Sequence, residues 1–252
     1  MLSSPRVRNN GALLIHTQSP IDDLIGGGLP TGVISHIYGE AATGKTTLAM
    51  QAAGNLSREG YQTLYIDGDN RFSFKRFSQI FPDDDSLERI TLIVPKSLDE
   101  QTEIISVLDA YVSSRTRLIV VDTIAAQYRR GLSPDTQFTR YREVVEKQLP
   151  EMLGLCRRRR NIAVLILNQV VSNIEGIEGE NILPSTGMGL NKFSQVTLRF
   201  STTAVKSVLK AKIINHYLDI RGEIFYQITS RGISPVSPGL LKALKDVGGR
   251  AS

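Results

Sequence analysis

The 252-residue chain is poor in cysteine, since Cys156 is the only one. A lone thiol cannot form an internal disulfide, and it excludes a metal site built from several cysteines. We expect Cys156 to pack on a helix. The lack of a disulfide framework points to the cytoplasm.

Long apolar runs are also missing. No uninterrupted apolar stretch approaches the roughly 18 residues that a membrane-spanning helix needs. Residues 1–10 are polar and lack the apolar segment of a signal peptide. The sequence therefore predicts a cytoplasmic protein with no membrane partner.

Neither sign of charge dominates the chain, which has 30 Lys and Arg against 25 Asp and Glu, a net charge of +5. This balance permits a polyanionic partner but does not establish one, because net charge is not evidence for a particular site. The densest basic run is Arg157–Arg160. Because charge runs are usually solvated, we favour a solvated helix end over a DNA-binding patch for it.

The most informative stretch is G-E-A-A-T-G-K-T, which has the G-x-x-x-x-G-K-T pattern of a phosphate-binding P-loop. An apolar run over 33–38 predicts a strand before it, and helical spacing of apolar residues over 46–59 predicts a helix after it. This context disfavours a chance match in a glycine-rich loop. The predicted ATP-contacting residues are Gly39, Glu40, Ala41, Ala42, Thr43, Gly44, Lys45, Thr46 and Thr47.

Each fixed position of the P-loop pattern has a chemical role in binding phosphate. Gly39 and Gly44 allow the backbone amides to turn toward phosphate oxygens, and the helix N-terminus adds partial positive charge there. Lys45 offers a cation to the β- and γ-phosphates, and the Thr46 hydroxyl can ligate Mg²⁺.

Strands and helices alternate up to about residue 170, which predicts an α/β fold with a mainly parallel sheet and helices on both faces. The later predicted strands have no helices between them, so we expect an antiparallel C-terminal extension of the sheet. The predicted organisation is a flexible N-terminal arm over 1–18, one ATPase core over 19–237 and a basic C-terminal tail over 238–252.

Acidic residues end two of the predicted parallel strands, and ligands bind at that edge of such sheets. Asp122 follows four apolar residues and is the predicted Walker B acid, a partner of Mg²⁺ together with Thr46. The alternative for Asp122 is a solvated acid at a strand end. Asp69 is predicted to orient the attacking water, with a plain turn residue in Asp67-Gly68-Asp69-Asn70 as the alternative.

An amide ends a further predicted strand. Gln169 could contact the γ-phosphate and report its presence to the loop that follows, which makes it a second candidate catalytic residue. The alternative is an ordinary polar residue at a strand end.

Together these motifs resemble the RecA-type recombinase ATPases of the archaeal and eukaryotic branch. The resemblance spans about residues 19–234 and is carried by IDDLIGGGLPTG, GEAATGKTT, LYIDGD, LIVVDT, AAQYRRG and LILNQVV. The N-Q-V ending is the most discriminating, since in the family it leads into the second DNA-binding loop. The resemblance implies a RecA-like P-loop core, ATP and Mg²⁺ as cofactors, and a role in DNA recombination and repair.

The same resemblance identifies candidate DNA contacts. AAQYRRG corresponds to the first DNA-binding loop of the family, and residues 172–192 correspond to the second. It therefore implies that Arg129, Arg130 and Lys192 contact DNA phosphates, with single-stranded DNA favoured.

Three departures from the family pattern narrow the expected activity. Asp69 stands where the family usually has a catalytic glutamate, and its side chain is one methylene shorter. Neither the helix-hairpin-helix domain of full-length relatives nor their F-x-x-A polymerisation motif is recognisable. We therefore expect a weak DNA-dependent ATPase that forms a small homo-oligomer and assists a full-length RadA-type recombinase.

Two other functions fit a P-loop. A KaiC-like regulatory ATPase or kinase is disfavoured because that group usually has paired glutamates at Asp67-Gly68-Asp69 and lacks the N-Q-V ending. A scaffold that binds nucleotide without turnover is the third possibility. DNA-stimulated hydrolysis, autophosphorylation and binding without turnover distinguish the three.

Overall fold

A computed structural model describes residues 13–82, 85–124, 134–172, 182–184 and 189–248. Its strands are β1 Leu14–Ile15, β2 Leu29–Pro30, β3 Ile34–Gly39, β4 Gln62–Asp67, β5 Ile90–Ile93, β6 Thr116–Asp122, β7 Ala163–Ser172, β8 Ile182–Pro184, β9 Val196–Thr202, β10 Leu209–His216, β11 Glu223–Thr229 and β12 Gly232–Pro235. Its helices are α1 Pro20–Leu24, α2 Lys45–Arg58, α3 Phe74–Ile80, α4 Leu98–Ser106, α5 Leu108–Tyr111, α6 Pro134–Arg158, α7 Gly189–Phe193 and α8 Pro238–Gly248, with a 3₁₀ turn over Asp85–Arg89.

One large sheet organises the described residues. Its strand order is β12-β11-β10-β9-β3-β7-β6-β4-β5, with β8 paired to β7 outside this path. The pairs from β9 through β3, β7, β6 and β4 to β5 are parallel, and those from β9 through β10 and β11 to β12 are antiparallel. The carboxyl ends of β3, β4, β6 and β7 therefore meet at one edge of the sheet.

Both faces of the central strands are buried, as in β3, and β6 shows how the sequence produces this. Successive strand residues point to opposite faces, so Leu118 and Val120 join the core beneath α1 and α2. Ile119 and Val121 join the core beneath α4, α5 and α6. An uninterrupted apolar strand is the pattern expected when helices cover both faces. Cys156 is buried in the second of these cores on α6, as the sequence predicted.

The predicted α/β fold is confirmed, with a correction in the C-terminal part. We expected an antiparallel extension from about residue 195, but β9 is parallel to β3, with Ser35 opposite Val196. The antiparallel part begins at β10. The sequence pattern predicted no helix between β7 and β9, and a parallel pair needs a crossover connection, so an antiparallel arrangement was expected.

The predicted end segments also differ from the structure. The expected flexible arm over 1–18 is ordered from residue 13, where β1 pairs with β2 and Ile15 is buried. Residues 1–12 lie outside the described residues. The expected tail over 238–252 includes helix α8. Strand β7 also continues past Gln169, where the sequence predicted its end, as far as Ser172.

Helices of the described ranges include none long and apolar enough to cross a membrane.

Candidate nucleotide-binding site

The P-loop connects β3 to α2, as predicted. Steric constraints explain why glycine occupies positions 39 and 44. A Cβ at Gly39 would lie 1.9 Å from the Phe200 carbonyl oxygen, so the neighbouring strand β9 can approach only glycine. Gly44 has φ of +89°, which L side chains rarely adopt, and a Cβ there would lie 2.9 Å from the Ile228 side chain. The loop is therefore shaped by β9 and β11 as well as by its own sequence.

Lys45 is the first residue of α2 and only 7% exposed. Its Nζ donates hydrogen bonds to the carbonyl oxygens of Gly39 at 2.8 Å and Glu40 at 2.6 Å. Within the described chain, no side chain caps the N-terminus of α2. Its first amides and the lysine thus converge at the mouth of the loop, where an anion is favoured.

The other loop residues have distinct contacts. Glu40 points to the end of β9, where its Oε2 accepts a hydrogen bond from the Thr202 hydroxyl at 2.5 Å. Thr43 is hydrogen-bonded to β11, where the Tyr226 hydroxyl donates to the Thr43 carbonyl oxygen at 2.7 Å. Ala41, Ala42, Thr43, Gly44, Lys45, Thr46 and Thr47 all line the adjacent cleft. Sequence reasoning missed Tyr226, which is 183 residues from its partner.

Asp122 lies at the end of β6 beside Thr46. The Thr46 hydroxyl donates to Asp122 Oδ2 at 2.7 Å, and the Tyr65 hydroxyl donates to the same oxygen at 2.7 Å. Burial raises the pKa of Asp122 to about 6, although these two hydrogen bonds oppose the shift. Asp122 is therefore a fixed and buried carboxyl group, unlike a solvated acid at a strand end. Tyr65 was not predicted from the sequence.

The two aspartates after β4 have different surroundings. Asp67 is buried and holds the turn, since it accepts the backbone N–H groups of Arg71 at 3.0 Å and Phe72 at 2.7 Å. Asp69 lines the cleft, and its Oδ2 accepts from the Thr123 hydroxyl at 3.4 Å. Its backbone N–H donates to the Asp122 carbonyl oxygen at 3.4 Å. Asp67 thus holds the turn through its side chain, and Asp69 lies within that turn.

Gln169 lies on β7 directly opposite Gly39 of β3, and it lines the same cleft. The predicted strand end is wrong here, because β7 continues to Ser172 and pairs with β8. Gln169 nevertheless lies where the parallel pairing with β3 ends.

The cleft has a volume of about 390 Å³ and brings Lys45, Thr46, Asp69, Asp122 and Gln169 together. The structure adds cleft-lining residues that the sequence did not indicate, namely Met50, Arg71, Ser73, Arg76, Thr123 and Ile228. One of them, Arg76, joins two elements, because its guanidinium donates to the carbonyl oxygens of Thr229 at 2.7 Å and Ser230 at 3.2 Å.

The candidate DNA contacts are not brought together by the described residues. Arg129 and Arg130 lie outside them. Lys192 is on α7 and exposed. In the Arg157–Arg160 run, Arg158 and Arg159 form ion pairs with Asp109 at 2.6 and 3.5 Å, which suits a solvated helix end.

This fold and P-loop cleft define a nucleotide-binding class, and comparison with known proteins identifies the family. Residues 8–236 match the Rad51 family. The chain belongs to the Rad51 family, as the resemblance predicted.

Its relatives within that family include RadB proteins. The chain is 32% identical over 227 residues to the DNA repair and recombination protein RadB of Archaeoglobus fulgidus, covering 88% of this chain and 99% of the relative. It is 33% identical to RadB of Pyrococcus abyssi over 86% of this chain and 91% of that protein. A solved crystal structure of the RadB recombinase superposes with a TM-score of 0.72 at 28% identity, covering 89% of this chain and 100% of that one.

Proposed function

We propose that this protein binds Mg²⁺ and ATP in the P-loop cleft, binds DNA, and assists homologous recombination and DNA repair in the cytoplasm. The observation that carries the proposal is the meeting of Lys45, Thr46 and Asp122 at one end of a cleft that Gln169 also lines. Family membership adds to it, since the RadB relatives are named DNA repair and recombination proteins.

The residues present fit Mg²⁺ and ATP. The α2 amides and Lys45 suit phosphate oxygens, and Gly44 before them has the φ of +89° that L side chains rarely adopt. Thr46 and Asp122 would hold Mg²⁺, which typically takes one or two carboxylates and completes its shell with phosphates and water. Bound Mg²⁺ would supply charge neutralisation at the phosphates.

Hydrolysis is proposed to be slow. Asp69 faces the cleft, and it would orient the attacking water from a shorter side chain than the family's usual glutamate. Phosphoryl transfer depends mainly on positioning and electrostatics, so a poorly aligned water lowers the rate directly.

Gln169 is the proposed connection between nucleotide and DNA. It lies on β7, and β7 leads into residues 173–181, which belong to the proposed second DNA-binding loop. A contact between the Gln169 amide and the γ-phosphate would favour one arrangement of that loop over another. DNA affinity should therefore depend on which nucleotide is bound.

The accessory role and its partners are tested by strand exchange. We propose a small homo-oligomer that acts with a full-length RadA-type recombinase. The experiment mixes this protein with homologous DNA and ATP, with and without such a recombinase, and follows joint-molecule formation. Stimulation only in the presence of the recombinase supports the proposal. Efficient exchange by this chain alone, with regular filaments under the electron microscope, would make it a recombinase itself.

Substitutions at Asp69 test the water-orienting role. We expect Asp69→Glu to raise the single-turnover rate of ATP hydrolysis several-fold, because the longer side chain reaches further into the cleft. Asp69→Asn should lower the rate about tenfold or more, since general base assistance contributes ~10²–10⁴-fold in enzymes. The rates are compared at saturating ATP, so that a change in ATP affinity does not enter the comparison. If neither variant alters the rate, Asp69 does not align the water.

The salt dependence of DNA binding tests Arg129 and Arg130. Phosphate contacts release counterions, so the wild-type affinity should fall steeply as salt rises. Replacing both arginines by alanine should reduce the slope of log affinity against log salt by about one to two. The matched control replaces Arg157 and Arg160, which removes the same charge from the solvated helix end. A wild-type slope in the first variant and a reduced slope in the control would move the DNA site to α6.

A further inference from the structure

Arg71 occupies a place in the cleft that the proposed function does not use. It follows the turn after β4, where its backbone N–H is fixed by Asp67, and its side chain lines the cleft. That side chain is 64% exposed. Among the described residues, its guanidinium has one ionic contact, from Nε to Asp69 Oδ2 at 3.9 Å.

The other two cations of the cleft are already engaged by backbone carbonyl oxygens. Lys45 donates to Gly39 and Glu40. Arg76 donates to Thr229 and Ser230, which fixes it to the turn between β11 and β12. The ion pair of Arg71 is longer than these hydrogen bonds, at 3.9 Å, and its guanidinium side is largely exposed, so it is the weaker interaction. Arg71 is thus the cleft cation that can change partners at least cost.

Arg71 also lies at the end of the cleft where a terminal phosphate needs a cation. Its partner Asp69 is hydrogen-bonded through its backbone to Asp122, which in turn accepts from Thr46. This end therefore holds two carboxyl groups that would repel phosphate charge. Arg76, in contrast, is held at the β11–β12 turn.

We propose that Arg71 contacts the terminal phosphate of bound ATP and determines the preference of this protein for ATP over ADP. The inference rests on the proposed binding of ATP. A guanidinium can hold phosphate oxygens through two parallel hydrogen bonds, which an ammonium cannot reproduce. The doubly charged terminal phosphate would replace Asp69 as its partner, and ADP offers no phosphate at that position. The ion pair between Arg71 and Asp69 would be broken in the same change.

Calorimetric titration with ATP and with ADP, both in the presence of Mg²⁺, tests the proposal. We expect Arg71→Gln to weaken ATP binding about tenfold, the effect of losing one charge-assisted contact. ADP affinity should change less than about twofold, because ADP lacks the contacted group. Arg71→Lys should retain part of the preference, since it keeps the charge and loses the two-pronged geometry.

Lys75→Gln is the matched control. Lys75 is exposed on α3, lies four residues from Arg71 and does not line the cleft. The control removes one positive charge from the same region, and it should leave the ratio of ATP to ADP affinity unchanged. An unchanged ratio in Arg71→Gln, or an equal loss for both nucleotides, would overturn the role of Arg71. Failure of the wild-type protein to bind ATP would reject the proposed function and this inference with it.

Discussion

Replacing Lys45 by alanine is expected to lower the affinity for ATP by about 100-fold or more, since truncating a buried charged partner typically costs ~2–5 kcal/mol. Lys45 is nearly fully buried at the mouth of the loop, and its Nζ donates hydrogen bonds to the carbonyl oxygens of Gly39 and Glu40. Arg76 is fixed to the turn between β11 and β12 and cannot take its place. Calorimetric titration with ATP and Mg²⁺ measures the change.

The fold should survive this substitution, because Lys45 is the first residue of α2 and lies outside the apolar cores. Far-UV circular dichroism and the thermal unfolding midpoint serve as controls. An Arg76→Gln variant is the comparison inside the cleft, and we expect a smaller loss there. Unchanged ATP affinity in Lys45→Ala, with the fold intact, would contradict the assignment of the P-loop.

Replacing Asp122 by asparagine should have two opposite large effects. The first is on cofactor binding. In the wild-type protein, Mg²⁺ should increase the affinity for ATP. In the variant, which lacks the carboxylate ligand, this increase should be smaller by about tenfold or more. The second is on stability. With EDTA present and no nucleotide, the variant should unfold at a higher temperature than the wild type.

The stability gain follows from the environment of the carboxyl group. Burial raises the pKa of Asp122 from an ordinary value of 3.8 to about 6. The folded protein therefore holds this proton more tightly than the unfolded chain, and stability is lost as the pH rises through about 6. At neutral pH the loss is up to about 3 kcal/mol, because one pKa unit corresponds to about 1.4 kcal/mol.

The variant cannot ionise, so its advantage should be full near pH 7.5 and smaller near pH 5. Tyr65→Phe is the control that keeps the carboxylate and removes one of its hydrogen bonds. A variant that binds Mg²⁺ and ATP as the wild type does would exclude Asp122 as the metal partner. If the variant is less stable than the wild type at neutral pH, burial of the charged Asp122 carboxylate does not destabilise the wild-type protein, and this prediction is wrong.

The parts of the site that could be predicted are those whose residues lie close together in the sequence. The P-loop, with its strand and helix, carries its signal within about twenty residues, and the ends of β4 and β6 are marked by an aspartate after an apolar run. Asp69, Asp122 and Gln169 could be placed at one edge because parallel strands align their carboxyl ends. All of them line the cleft in the structure.

The missed residues act across long stretches of sequence. Tyr65 and Asp122 are 57 residues apart, and Tyr226 and Thr43 are 183 apart, so no local pattern connects them. Asp67 and Asp69 are indistinguishable by spacing, and only the turn geometry shows that Asp67 accepts the backbone amides. The direction of β9 was likewise undetermined, because it depends on the path of the chain between β7 and β9.

The most direct test of the account is the affinity for a single-stranded oligonucleotide, measured at one salt concentration with Mg²⁺ and ATP, with Mg²⁺ and ADP, and without nucleotide. If Gln169 connects the cleft to the DNA-binding loop, ATP should give the tightest binding, and Lys45→Ala should bind DNA equally in all three conditions. Equal DNA affinity of the wild-type protein in the three conditions, with ATP shown to be bound, would contradict the connection between nucleotide and DNA.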